Sequence, residues 1–402
     1  MSGYPDVRKD LPWAPDAMKG YVGRRGVSAG IHDPLLATAA AIEVDGEPVV
    51  LIGLDTLVVT SAFTAAVRSA LAEHVPAERV LVGASHTHAG PDLFAWWEGE
   101  PVAVERTIEQ TAAAARRALE RLEPAELSWG EARVGHVSVN RRDERDGPLD
   151  PSVSVLRAVS PDGATIGLLV GFACHPVTLD YANLLFSADY VAPLRGALSA
   201  VYPGATIVFL NGAAGNLNPA RYPYEQRANI YIPQTLENYP VFWGGFAEAD
   251  RMGRTVAGAA AVAAERALPL DPAPPRGLIE TVELPLKRGE DLDRFLDFMN
   301  FKAAYRSPFG GTEALGTEVQ ALALGPLRIV ALPGEPFVEL GLELKRRADG
   351  PTLVVGFAND DIRYVMTDDA YVEGQYETVG TALAAGSAAA LVECAANLMA
   401  SV

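Results

Sequence analysis

The sequence is poor in cysteine, in histidine and in positive charge. Its 402 residues include two cysteines, Cys174 and Cys394, and six histidines. Two distant cysteines allow at most one disulfide, and we expect two free thiols in a reducing compartment. With 33 basic against 51 acidic residues the net charge is −18. This balance argues against nucleic-acid binding, because no basic stripe is available to neutralise phosphates, and it also argues against docking on an anionic membrane.

The chain also lacks long apolar runs and a basic-then-apolar leader. No stretch approaches the ~20 apolar residues that a membrane-spanning helix needs. The first residues, MSGYPDVRKDLPWAPD, do not have the pattern of a signal peptide. We therefore expect a soluble, cytoplasmic protein with a small-molecule substrate and no nucleic-acid or membrane partner. A symmetric homo-oligomer is the general expectation for a protein of this kind.

What is present is the composition of a globular protein with a large core, at 49% apolar and 21% charged residues. Short β-branched runs alternate with helical patterns, which predicts an α/β fold with a mixed β-sheet core flanked by helices. Strands are predicted at residues 38–44, 48–54, 80–84, 134–138, 166–173, 206–210, 319–324, 327–332 and 352–357. Helices are predicted at residues 62–74, 102–122, 190–201, 247–267, 292–305, 336–348 and 378–399.

The proline-rich segment 268–275 is the best linker in the chain. It could separate two lobes, with a boundary near residues 268–276. The patterns after it are of the same kind as those before it, so we predict one composite catalytic domain over residues 1–402. A short glycine turn between Leu324 and Leu327 also predicts an antiparallel hairpin.

Several predicted strands end in polar or glycine-rich signatures. Residues 80–84 run into Ser-His86-Thr-His88, residues 166–173 into Cys-His175-Pro, and residues 327–332 into Pro-Gly-Glu335. In α/β sheets, ligands bind beyond the carboxyl ends of the strands. Histidine and glutamate are also ligands that zinc prefers.

These strand ends predict a metal site. A single histidine after a strand is more commonly a structural residue. His86 and His88, however, stand two apart in extended chain and point to the same side. His175 and Glu335 occupy equivalent positions on other strands, which makes coincidence the harder explanation. The remaining histidines, His32, His74 and His136, lack this context, and we interpret them as structural.

With these residues the chain resembles the neutral/alkaline ceramidase family of zinc-dependent amide hydrolases, whose blocks it repeats in order. The matching blocks are SHTHAGPD (85–92), VSVNRR (137–142), FACHPVTLDYANLLFSADYVAPL (172–194), NGAAGNLNP (211–219), LPGEPF (332–337) and NDDIRYVMT (359–367) with QYE (375–377). The resemblance implies the ceramidase catalytic-domain fold and a Zn²⁺ site of two histidines, a glutamate and a tyrosine.

On this chain those ligand positions are His86, His175, Glu335 and Tyr364. The resemblance also makes His88 and Arg141 neighbours that polarise the substrate carbonyl or carry a proton. Tyr364 is an unusual ligand: a dication can hold its phenol as phenolate, or the hydroxyl can remain a movable donor near the metal. Without the resemblance, the simpler interpretation is that Arg141 and Arg142 are two exposed arginines that form surface salt bridges.

Two departures separate the sequence from ceramidases. The family's glycine-rich loop presents a serine that is read as the nucleophile, and the matching residue here is Asn218, which can only orient or hydrogen-bond. Because the sequence reaches Val402 soon after the helix that follows the tyrosine block, we also expect no counterpart of the family's C-terminal β-sandwich. In the same loop, Asn211 and Gly212 offer amides that could approach an oxyanion, and a tight structural turn is the alternative.

These observations together predict a zinc-dependent hydrolase. We expect it to cleave an amide (C–N) bond of a small or medium soluble substrate with metal-activated water, using His88, Arg141 and Tyr364 as catalytic groups. An ester or lactone hydrolase, or a zinc-dependent lyase or isomerase, would use the same groups. An iron(II) oxygenase and a non-catalytic binding protein fit the sequence less well.

Overall fold

A computed structural model describes residues 18, 20, 28–91, 93, 104–220, 245–271, 273–299 and 313–402. Its strands are β1 (Gly30–Ile31), β2 (Ala37–Val44), β3 (Glu47–Leu54), β4 (Val80–Ala84), β5 (Glu126–Arg133), β6 (Ser138–Asn140), β7 (Ser152–Val159), β8 (Thr165–Phe172), β9 (Leu185–Phe186), β10 (Thr206–Asn211), β11 (Leu217–Pro219), β12 (Leu268–Pro269), β13 (Arg276–Pro285), β14 (Ala314–Leu324), β15 (Leu327–Ala331), β16 (Glu335–Pro336), β17 (Thr352–Val355) and β18 (Tyr364–Val365).

The helices surround these strands. They are α1 (Ser61–Leu71), α2 (Val104–Glu120), α3 (Val191–Val201), α4 (Phe246–Glu265), α5 (Glu290–Met299), α6 (Val338–Arg347), α7 (Asp368–Glu373), α8 (Tyr376–Val379) and α9 (Ser387–Ser401), with a 3₁₀ turn at Ala77–Arg79. Within the described part of the chain, each helix is too short or too polar to cross a lipid bilayer.

Three larger sheets form the α/β core that the sequence predicts. Their strand orders are β10-β8-β7-β5-β12, β13-β14-β15-β17 and β2-β3-β4. The pairs β10–β8, β3–β4 and β15–β17 are parallel. Strands of this kind are covered on both faces, which explains the continuous apolar runs: all five residues of β4 are buried.

Backbone hydrogen bonds join the carboxyl ends of neighbouring strands within one sheet and between different sheets. The Gly212 N–H donates to the last residue of β8 at 3.0 Å, and the Gly356 N–H donates to the last residue of β10 at 2.9 Å. Ala84, which ends β4, donates to the carbonyl of Phe357 at 2.9 Å. The segments that follow these strands therefore meet at one place, and this is where the predicted site residues lie.

The hydrophobic core contains residues from both sides of the proline-rich segment 268–275. One cluster of buried apolar side chains takes members from before this segment, such as Leu51, Leu81 and Val208, and from after it, such as Ile329 and Leu353. Cys174 and Cys394 are both buried and free.

The structure confirms most predicted elements and corrects three. It shows β5 and β7, which the sequence analysis missed, and the predicted strand at 134–138 is wrong because most of that segment connects β5 to β6. The predicted helix at 378–399 begins only at Ser387, because Gly380 and Gly386 separate α9 from the short α8. The predicted helix at 292–305 corresponds to α5 up to Met299, and its remainder lies outside the described residues. The hairpin between Leu324 and Leu327 is confirmed.

Candidate active site

His86 lies just beyond β4 in a backbone conformation that side chains rarely adopt. Its φ is 69°, a strain that costs on the order of 1 kcal/mol. The imidazole is buried and stacks on Phe357 with ring centroids 4.2 Å apart. Its Nδ1 lies 2.6 Å from the carbonyl oxygen of Leu57. A carbonyl only accepts, so Nδ1 carries the proton and the lone pair of Nε2 faces the site.

His175, beyond the end of β8, is held in the same way. Its Nδ1 donates to the carbonyl of Ala214 at 2.7 Å, which again leaves the lone pair on Nε2. That nitrogen lies 3.2 Å from Oε2 of Glu335. Burial lowers the pKa of His175 to about 4, so the ring is neutral at pH 7.

The carboxylate of Glu335 faces both histidines. Its Oε2 lies 3.2 Å from Nε2 of His175 and 3.5 Å from Nε2 of His86, and the residue is only 3% exposed. A buried carboxylate oxygen and two nitrogen lone pairs repel one another unless a proton or a cation lies among them. The arrangement therefore has the chemistry of a cation site.

His88 extends the cluster to three histidines. Its Nε2 lies 3.2 Å from Nε2 of His86, and ligand nitrogens of His86, His88 and His175 all lie within 4.8 Å of one another. Bonds of about 2.0–2.1 Å at tetrahedral angles place the ligand atoms of a zinc ion roughly 3.3 Å apart. The nearest donor atoms of the cluster already have about this spacing, so the residues present fit a zinc-sized ion.

Tyr364 lies next to Glu335, because the two residues are paired across the parallel strands β16 and β18. The Tyr364 ring packs on Gly380, and the guanidinium carbon of Arg141 lies 5.2 Å from the ring centroid. Burial raises the pKa of Tyr364 well above its usual value, so the side chain is a neutral phenol unless a cation lies beside it.

Arg141 is part of the site and is not an exposed residue. Its Nε donates to Oε1 of Glu377 at 2.7 Å, and its Nη1 makes a long contact of 3.4 Å with Oδ1 of Asn218. Its Nη2 is buried and has no hydrogen-bond partner among the residues that the structure describes. A buried N–H group without a partner is costly, and an acceptor on a bound ligand would satisfy it.

Asn211 and Gly212 have structural roles in the fold. The Asn211 side chain donates to the carbonyls of Ser85 and Cys174 at 3.0 and 3.1 Å and accepts from the Cys174 N–H at 3.2 Å. The N–H of Gly212 is bonded to the end of β8. These groups bind the segments carrying His86 and His175 to each other. The expectation that they offer donors to an oxyanion is corrected, because their donors are already engaged.

The sequence analysis missed Phe357 and Glu377. Phe357 forms the apolar wall behind His86, at a φ of 53°. Glu377 binds both Arg141 and Arg142. The QYE block contained Glu377, but its partners are more than 200 positions away in the sequence, and no local pattern indicates them.

Comparison with known proteins finds similarity to neutral ceramidases in sequence and in fold. A family model described as neutral/alkaline non-lysosomal ceramidase, N-terminal, matches residues 12–193. The neutral ceramidase of Pseudomonas aeruginosa is 27% identical over 234 residues, which cover 50% of this chain and 34% of that protein. The neutral ceramidase of Mycobacterium tuberculosis is 36% identical over 87 residues, which cover 20% of this chain and 14% of that protein.

Solved structures extend the similarity to nearly the whole chain. The crystal structure of neutral ceramidase from Pseudomonas aeruginosa matches with a TM-score of 0.78 at 20% identity, covering 96% of this chain and 71% of that one. A structure described as ceramidase complexed with C2 matches with a TM-score of 0.74 at 19% identity, covering 92% of this chain and 70% of that one. The predicted α/β, ceramidase-like fold is thereby confirmed.

Proposed function

We propose, from the similarity of the chain to neutral/alkaline ceramidases and from the geometry of the site, that it is a zinc-dependent hydrolase of amide bonds. The sequence alignments cover about a third or less of the length of these relatives, so their activity is offered here as a proposal for this chain. One observation carries it: the Nε2 atoms of His86 and His175 and a carboxylate oxygen of Glu335, which come from separate strand ends, converge at the spacing of zinc ligands.

His86, His175 and Glu335 would hold the ion. Tyr364, the strand partner of Glu335, would complete the set that the family resemblance implies. The Nδ1 hydrogen bonds of both histidines fix the tautomer and the direction of the ring, as metal ligands require. When bound, zinc polarises a carbonyl oxygen and lowers the pKa of a water molecule to about 7.

The other residues of the site would bind the substrate and move a proton. Nη2 of Arg141 is buried without a partner in the described chain, so it would donate to the substrate oxygen as negative charge develops there. Nε2 of His88 lies 3.2 Å from Nε2 of His86, close enough to carry a proton to the leaving amine. Asn218, an amide, would hold Arg141 and would not attack the substrate.

We propose ceramide, an N-acylated lipid, as the substrate class to test first. This proposal replaces the expectation of a small soluble substrate, because the similar proteins found by sequence and by structure are named as ceramidases.

Metal content tests the site directly. Purified wild-type protein should carry about one zinc per chain by plasma mass spectrometry, and His175→Ala should carry none. His74→Ala is the matched control, because His74 is exposed and is not one of the clustered histidines. Iron in place of zinc would favour oxygenase chemistry, and absence of metal from wild type after zinc is added back would refute the proposal.

A matched substrate set tests the reaction. A short-chain ceramide, its ester analogue and a small soluble N-acyl amide are incubated with wild type and with His88→Gln. Release of an amine and a carboxylate from the ceramide, with ¹⁸O from labelled water in the acid, supports the proposal. Cleavage of the ester alone, or an unsaturated product without ¹⁸O, would refute it. His88→Gln should keep its zinc and lose about 10²–10⁴-fold in rate.

A further inference from the structure

One buried carboxylate, Glu377, holds two arginines beside the proposed metal site. Glu377 is 2% exposed. Its Oε1 accepts from Nε of Arg141 at 2.7 Å, and its Oε2 accepts from Nη1 of Arg142 at 2.6 Å. A carboxylate with one guanidinium on each oxygen cannot rotate without breaking a charge-assisted hydrogen bond. Glu377 therefore fixes both side chains at once.

The two arginines differ in what else they bind. Nη2 of Arg142 donates to the carbonyl of Ala370 at 3.3 Å and to Glu373 at 2.6 Å. Arg141 makes a long contact from Nη1 to Asn218 and lies over the Tyr364 ring, and its Nη2 has no hydrogen-bond partner in the described part of the chain. Arg142 is thus fully engaged in the fold, whereas Arg141 keeps a donor for a bound molecule.

The local charges make Glu377 the main counter-ion of the pair. The Arg141 and Arg142 side chains are 8% and 7% exposed, and the Glu377 side chain is 2% exposed. Glu373 contacts Arg142 alone and its side chain is 55% exposed. Burial by itself would raise the pKa of Glu377, but the two arginines lower it below the usual value. The carboxylate is therefore ionised, and it is the anion that sets the position of Arg141.

We infer that Glu377 is a positioning residue for amide hydrolysis, which fixes the guanidinium of Arg141 so that Nη2 meets the substrate oxygen. The catalytic part of this inference rests on the proposed function. The structural part does not depend on the reaction: the carboxylate of Glu377 forms a binding site for a guanidinium group.

Chemical rescue by guanidinium ion tests whether Glu377 forms this binding site. Arg141→Ala removes the guanidinium and leaves Glu377 facing the vacated space, and we expect the rate to fall by about 10²–10³-fold. Guanidinium ion at millimolar concentration should then restore activity by at least roughly tenfold, because the anchored ion supplies the missing donor. In Arg141→Ala/Glu377→Gln the rescue should disappear. This double variant keeps the net charge, and its thermal midpoint and near-ultraviolet circular dichroism check that it folds.

Glu373→Gln in the Arg141→Ala background is the matched control. It removes a carboxylate from the same cluster but not the one that contacts Arg141, so rescue should persist. Rescue that is equally strong without Glu377, or no rescue in Arg141→Ala, would overturn the inference.

A binding measurement separates this inference from the proposed function. Saturation-transfer NMR on guanidinium ion reports its binding to Arg141→Ala and to the double variant without any turnover. A wild-type protein that hydrolyses no amide would refute the proposed function. Equal guanidinium binding by both variants would refute the role of Glu377.

Discussion

Gly380→Ala should displace the Tyr364 ring without straining the backbone. The backbone of Gly380 has φ −79° and ψ 6°, a region open to alanine. A Cβ at this position would lie 3.0 and 3.1 Å from the Cε2 and Cδ2 atoms of Tyr364. Carbon atoms in contact are normally ~3.5–4.0 Å apart. The ring must therefore move by a few tenths of an ångström, up to about 0.5 Å.

The expected effect on catalysis is larger than the effect on stability. A misplacement of about 1 Å can cost roughly 10²-fold in rate, so half of that should lower kcat/KM by about tenfold, or ~1.4 kcal/mol. Replacing glycine by alanine at a compatible position stabilises a protein by ~0.4–1 kcal/mol through the unfolded state. This gain offsets part of the packing cost, and Tm should change by no more than about 2–4 °C.

The assay is steady-state hydrolysis of a fluorogenic short-chain ceramide, with Tm measured on the same preparations. Gly196→Ala in α3 is the control, because a Cβ there would meet no atom within 4 Å and the site of substitution lies in a helix. It should keep full activity. Undiminished activity in Gly380→Ala, or an equal loss in Gly196→Ala, would refute the argument that the position of Tyr364 matters.

Three further outcomes follow from named contacts. Asp55→Asn leaves the buried guanidinium of Arg195 unpaired and should lower the free energy of unfolding by about 3–5 kcal/mol. Asp250→Asn, which breaks an exposed pair, should cost less than ~1 kcal/mol by the same denaturant titration; equal losses would contradict the argument. Asn211→Ala breaks the clamp between the segments after β4 and β8, so stability should fall by about 1–3 kcal/mol and zinc affinity should fall with it; unchanged affinity would count against the clamp. The wild-type chain should form no acyl-enzyme detectable by mass spectrometry, because Asn218 has no hydroxyl and the proposed attacker is water; a covalent acyl adduct on the wild-type chain would contradict that.

The convergence of His86, His175 and Glu335 could be predicted because these residues follow strand ends. The short apolar runs of β4 and β8 mark where His86 and His175 leave the sheets, and parallel strands bring such ends together. The detail of His86 could not be predicted. Spacing alone placed His86 and His88 in extended chain, whereas the structure turns the chain at His86 with a φ of 69° and still brings the two Nε2 atoms to 3.2 Å.

The glycine-rich loop and the arginines show what the sequence could not provide. A loop containing Asn211 and Gly212 can present its N–H groups to a ligand or use them in the fold. The choice depends on carbonyls from distant strands, such as that of Ser85. Likewise, Arg141 and Arg142 have the appearance of a surface pair until Glu377, 236 and 235 positions away, is brought against them.

Because residue 218 is an asparagine, the proposed hydrolysis would depend on the proposed metal. Asn218 is 2% exposed and its oxygen faces Arg141, so this side chain helps to place the donor and has no hydroxyl with which to attack. An amide nitrogen, whose lone pair is delocalised onto its carbonyl, is also a poor nucleophile. Under the proposed function the attacker is therefore water, which the proposed zinc would activate. Removal of the metal should therefore abolish turnover and not merely slow it. Chelator-treated protein should regain activity in proportion to the zinc restored, and substantial turnover by protein shown to be metal-free would refute this reasoning.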